Sequence, residues 1–187
     1  MTPQAGMDDG GYARIVAPDA ARIERLLPGP IERIWAYLTE EDKRRQWMAS
    51  GTIGAIAEST VEHIFRHEDL GTDCGEPPTK YAALAGESRI HGRIIACKPP
   101  YLLAYTWGEG TPTPSQVRFD LEAKGSEVLL VVTHSRIATQ EMMASVAAGW
   151  HTHLDILADV VSDRTSHGFW NKHTRLEQEY ARQIAAR

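Results

Sequence analysis

The residues with the clearest chemical potential are the eight histidines and two cysteines, and their spacing decides what they can do. His151-Thr-His153 resembles a metal-ligand pair. On a helix, however, residues two apart point about 200° away from each other. Chelation from one helix needs a separation of four, as in H-E-x-x-H. His63 and His67 have that separation on a strand-like segment, so they share a face but stand about 13 Å apart. Cys74 and Cys97 add no metal-ligand spacing. Neither a metal nor any other cofactor is therefore expected. What remains is acid–base chemistry. His134 closes a strand, and His153 lies with Asp155 on a helix. Facing an enclosed space, His153 could serve as a general base near neutral pH, with Tyr105 or Arg93 polarising a carbonyl. The plainer alternative is that His153 hydrogen-bonds a backbone carbonyl or is solvated. The chain has no Ser-His-Asp order, nucleophile elbow or phosphate-cradling glycine loop.

The elements that must position these groups follow from hydrophobic period and from breakers. Residues 1–18 carry Pro, Gly and Asp without lasting periodicity and read as a flexible arm, with a short extended piece at 12–16. Residues 19–187 read as a single domain. Strands are expected at 21–27, 60–66, 89–97, 101–107, 115–122 and 127–134. In the fifth of these strands, Val117, Phe119 and Leu121 oppose Arg118, Asp120 and Glu122; in the second, Val61, His63 and Phe65 share one face. Pro28-Gly-Pro30 ends the first strand and starts a helix with Ile31, Ile34, Trp35 and Leu38 at helical spacing. Thr39 is the expected N-cap of a second short helix over 40–48. Met143, Val146, Trp150, Leu154, Leu157 and Val161 stripe a long helix over 138–163, where Gly149 is expected to permit close packing on the sheet. A last helix spans 170–184. The stretch 69–86, rich in Gly, Pro and polar residues, reads as a long loop: a lid or a disordered insertion.

Composition narrows the function. With 187 residues, 42% of them hydrophobic and 24% charged, the chain can bury one sizeable core. A net charge of −5 without a basic block argues against nucleic acid as a partner. No apolar run approaches the roughly 20 residues of a membrane span. The start of the chain lacks the pattern of a secretory signal. Two cysteines give no disulfide framework, and free thiols in a reducing cytoplasm are expected.

Four segments together resemble a known family. They are Arg25-Leu-Leu-Pro-Gly-Pro-Ile-Glu-Arg-Ile-Trp-Ala-Tyr-Leu-Thr39 running on to Trp47, Gly92 to Trp107, Val117 to Ser135, and Gly149-Trp-His-Thr-His-Leu-Asp-Ile-Leu157. In this order they are similar to the SRPBCC, or START-like, superfamily, in the branch named for the activator of the heat-shock chaperone ATPase. Glu58-Ser59 stands where many relatives have a Gly-Gly pair. The resemblance implies an α+β helix-grip fold: a curved antiparallel sheet of about six strands around a long C-terminal helix, with two short helices after the first strand. It implies an internal hydrophobic cavity for a small apolar or aromatic ligand. The lining expected from the strands is Phe65, Ile94, Tyr105, Trp107 and Phe119. From the long helix it is Val146, Trp150 and His153. Trp35 and Trp47 are expected in the core. A cyclase, dehydratase or hydrolase acting on a polyketide-like substrate is the alternative, with His153 as its candidate catalytic residue. A chaperone-activator-like interaction module comes last, because the second domain of full activators is not expected here. A homodimer is compatible with all three.

Overall fold

We describe the protein from a computed structural model, in which residues 11–186 are described. Residues 1–10, most of the expected arm, lie outside them. The alternating segments become seven strands: β1 (Arg14–Ala17), β2 (Ala20–Pro28), β3 (Thr60–Arg66), β4 (Glu87–Lys98), β5 (Leu102–Trp107), β6 (Ser115–Lys124) and β7 (Glu127–Ser135). They form one antiparallel sheet in the order β1-β2-β7-β6-β5-β4-β3. The six expected strands are joined by β1, where the short extended piece pairs Arg14 with Arg22. On the inner face one row runs Ile94–Tyr105–Val117–His134–Ala21 across five strands. All five residues are buried.

Four helices complete the domain: α1 (Ile31–Thr39), α2 (Glu41–Arg44), α3 (Gln140–Val161) and α4 (Phe169–Ala185). α2 is a single turn, shorter than the expected 40–48. The consecutive residues Trp47, Met48 and Ala49 are all buried. A continuing helix would spread three successive side chains over about 200° of its surface, so the chain unwinds to bury them together. Nor does Thr39 cap α2: its hydroxyl donates back to the Trp35 carbonyl at 3.0 Å, and Glu40 takes the cap position without a side-chain bond. α3 starts on a true cap, with the Thr139 hydroxyl accepting from Met142 N at 3.1 Å.

α3 lies along the inner face of the sheet and carries α4 on its other side. Arg25 of β2 reaches Asp155 of α3 (Nη2–Oδ1 2.7 Å), and Lys172 of α4 meets the same carboxylate. Burial works to raise the Asp155 carboxyl, but the cations outweigh it and hold it below its ordinary value. Nearby, Tyr180 of α4 bonds His151 Nδ1 at 2.8 Å and accepts from Ala13 N at 2.7 Å. Strand, long helix and last helix are thus tied at one polar point. Among the described residues no helix is long and apolar enough to cross a membrane.

Candidate functional site

At one end of the grip the sheet and α3 diverge, leaving a pocket of about 260 Å³. Each wall has a local cause. β3 and β4 pair Phe65 with Ser88 and His63 with Ile90. Phe65, Ser88 and Ile90 thereby form one rim, and Trp107, the last residue of β5, forms the next. Helical spacing brings Val146, Gly149, Trp150 and His153 of α3 to the opposite wall. The first turn of α4 adds Phe169, Trp170 and His173. A strap over residues 67–86, built around two short 3-10 turns at His67–Asp69 and Thr79–Leu84, supplies His67, Tyr81 and Leu84.

The structure separates the expected lining residues into two groups. Phe65, Trp107, Val146, Trp150 and His153 meet at the pocket. Ile94, Tyr105 and Phe119 do not: they are 0%, 1% and 1% exposed and fill the core beneath it. Their face is the expected inner one. The register places them one row or more deeper than Trp107, with Tyr105 paired to Ile94 and Val117, and Phe119 to Leu103. Arg93 is likewise not in the pocket; it is exposed beside Glu109. Trp47 is fully buried and donates its indole N–H to the Tyr37 carbonyl at 2.9 Å, and Trp35 packs against the core. Gly149 does not serve close packing: a Cβ there meets no heavy atom within 4 Å. Its missing side chain leaves space in the pocket instead.

Sequence reasoning missed the wall from α4 and, while offering 69–86 as a lid, named no lining residue in it. Phe169-Trp170-x-x-His173 is an aromatic first turn, a signal that helical spacing could have supplied. The strap is tied to α3 and α4. Trp170 N donates to the Cys74 carbonyl at 2.8 Å, and Gly168 N donates to the Thr72 carbonyl at 2.6 Å. Tyr81 stacks on Trp170 with ring centroids 5.7 Å apart. The Tyr81 hydroxyl meets Glu177 and lies 2.6 Å from Ser145 Oγ, while Lys80 Nζ donates to Glu177 at 2.8 Å. Cys74 and Cys97 are both free thiols.

The histidines around the pocket are neutral at pH 7. Burial pushes His134 down to about 4. Burial, with a smaller push from His173, brings His67 to about 4. His153 is brought to about 3 by burial, with His67 adding to it. His173 is lowered too, by burial first. His134 has both nitrogens committed: Trp150 Nε1–H donates to Nδ1 at 3.0 Å, and Nε2 meets Ser115 Oγ at 2.8 Å. Because Nδ1 accepts, the proton sits on Nε2, and this chain fixes the Trp150 indole plane. His153 Nδ1 lies 2.8 Å from the Trp47 carbonyl. So His153 does hold a backbone carbonyl, and a base held at about 3 is poorly matched to neutral-pH proton abstraction.

A curved antiparallel sheet gripping a long helix, with a pocket at its open end, defines the helix-grip class of SRPBCC-type proteins. The chain belongs to the family described as activator of Hsp90 ATPase homolog 1-like protein, whose model matches residues 28–162. A protein of Bordetella parapertussis, solved by solution NMR, is 38% identical, with 96% of this chain and 94% of that one covered and a TM-score of 0.76. CalU16 of Micromonospora echinospora is 22% identical over 95% of this chain and 90% of its own, with a TM-score of 0.63. DynU16, a protein of the dynemicin biosynthetic locus, is 18% identical over 81% of this chain and 51% of its own, at 0.61. These last two share the fold. No protein with a curated function matches the sequence.

Proposed function

We propose that this protein binds a small, mostly apolar, ring-containing molecule in the pocket between the sheet rim, α3, the first turn of α4 and the strap. The observation that carries the reading is the union of an open volume of about 260 Å³ with walls of Phe65, Trp107, Trp150, Phe169 and Trp170. Flat aromatic faces bury large areas and stack on planar ligands. The volume sets the size. A cavity of roughly 150 Å³ accommodates benzene, so this one suits one or two rings and is too small for a tetracyclic polyketide. Binding, rather than acid–base turnover, is favoured because the pocket histidines are buried in their neutral form and His153 is committed to a carbonyl.

Equilibrium dialysis against naphthalene and pyrene tests this. Naphthalene is expected to bind saturably at one site per chain, and pyrene not at all. Failure of both to bind, or equal binding of both, would overturn the proposal.

A further inference from the structure

Two inward polar groups of the pocket, His153 and Ser145, bear on what the ligand must carry. A backbone carbonyl only accepts, so the 2.8 Å contact between His153 Nδ1 and the Trp47 carbonyl requires the proton on Nδ1. The ring is neutral, so Nε2 carries a lone pair and no hydrogen. No side chain or backbone group bonds Nε2 among the described residues, and His153 stands in the pocket wall. The second inward group is Ser145. Glu177, ion-paired to Lys80, is the strongest acceptor near the Tyr81 hydroxyl and takes its single proton. The Tyr81 oxygen, 2.6 Å from Ser145 Oγ, then accepts the serine proton. The serine oxygen is left with lone pairs alone. His134 and the Trp150 N–H satisfy each other and offer nothing. Arg89, at the exposed rim, has its guanidinium bonded to Glu87 and Glu62. His153 and Ser145 therefore present acceptors to the pocket, while His67, whose buried Nδ1 has no partner, is the neutral ring of the wall whose N–H is not committed.

Resting on the reading of this pocket as a small-molecule site, we propose that its ligand is a neutral one- or two-ring aromatic compound bearing a hydroxyl or N–H group, which donates to His153 Nε2. A carbonyl-only ligand placed against His153 would set acceptor against acceptor, and a carboxylate would enter without a cation to pair with it, since the Arg89 guanidinium is already bonded to Glu87 and Glu62. A ligand that donates to His153 leaves its Trp47 bond intact, so recognition needs no rearrangement of the wall. Discrimination then follows from one hydrogen bond formed or left unmade.

The test compares 2-naphthol with 2-methylnaphthalene, in which a methyl replaces the hydroxyl at nearly equal size, and with 2-naphthoate. Binding is measured by equilibrium dialysis on the full chain. A merely greasy pocket prefers the methyl compound, because it leaves water more readily. The expected result is the reverse order, with 2-naphthol about 3- to 10-fold tighter and 2-naphthoate unbound. His153→Asn keeps an N–H for the Trp47 carbonyl and removes the Nε2 acceptor, so it is expected to restore the methyl preference. Tighter binding of 2-methylnaphthalene by the wild-type protein overturns the donor inference while leaving the pocket reading standing. Binding of 2-naphthoate as tight as that of 2-naphthol does the same. Failure of all three to bind overturns both. The wild-type comparison decides the matter even if the variant does not fold.

Discussion

Gly149 offers the most direct test of whether the space beside α3 is real. It lies inside a 22-residue helix, where glycine costs about 1 kcal/mol relative to alanine. In most buried helices a substitution there would be repaid in clashes. Here an added Cβ has no heavy atom within 4 Å, so Gly149→Ala should keep the full propensity gain. The expected stabilisation is about 1 kcal/mol, or a rise in melting temperature of about 2–4 °C for a chain of this size. Gly149→Leu should fold as well, but its side chain would take a large share of the 260 Å³. Its affinity for naphthalene should fall by more than about tenfold, the equivalent of 1.4 kcal/mol. Thermal unfolding and equilibrium dialysis read the two effects separately. A lower melting temperature for the alanine variant would mean that α3 packs against something at this position, and the pocket would not be where we place it. A folded leucine variant with unchanged affinity would put the ligand elsewhere.

Acid should unfold the protein early. His63 and His153 are held down to about 3, and His67, His134 and His151 to about 4, against an ordinary 6.5. The native state then binds fewer protons than the unfolded chain below pH 6.5, so stability is fully present above that value and is lost as pH falls toward 4. At pH 5 each such group costs on the order of 2 kcal/mol, and five of them rival the total stability of a typical domain, about 5–15 kcal/mol. Urea midpoints should be level from pH 8 to 7 and drop steeply below 6; a level midpoint down to pH 4.5 would contradict neutral burial. The depressed Asp155 carboxyl adds its own loss only below its ordinary value of 3.8. His134→Phe should cost about 1–3 kcal/mol by stranding the buried Trp150 N–H, and adding Trp150→Phe should recover part of the cost of that missing partner in a double-mutant cycle of urea unfolding. Gly168→Ala would set a Cβ 2.0 Å from Cys74 Cα, so it should destabilise by more than about 2 kcal/mol and free the strap, read as faster proteolysis within residues 71–86.

Much of the architecture was legible before any coordinates. Period-two alternation assigned Val61, His63 and Phe65 to one face, and Val117, Phe119 and Leu121 to another, and all six are buried. Helical spacing likewise put Val146 and Trp150 on one stripe, and both border the pocket. Both signals are local, since they follow from the geometry of a single strand or helix. They say which face a side chain occupies, and nothing about how far along the sheet it sits. That is why Tyr105 and Trp107 looked equivalent, although one is core and the other borders the pocket.

What only the tertiary structure decided lies in contacts between distant parts of the chain. Tyr81 and Glu177 are separated by 96 residues, and His153 and the Trp47 carbonyl by 106. No propensity or period encodes such a pair; it exists because the sheet, α3 and α4 each bury their apolar faces and thereby bring the groups together. The sequence alone determined the elements and their inward faces, through patterns that any one element can satisfy by itself, and the resemblance of its four segments to a known family implied the helix grip. The place of the pocket, the strap that walls it and the protonation of its histidines had to wait for packing, because burial and hydrogen-bond partners belong to the assembled fold.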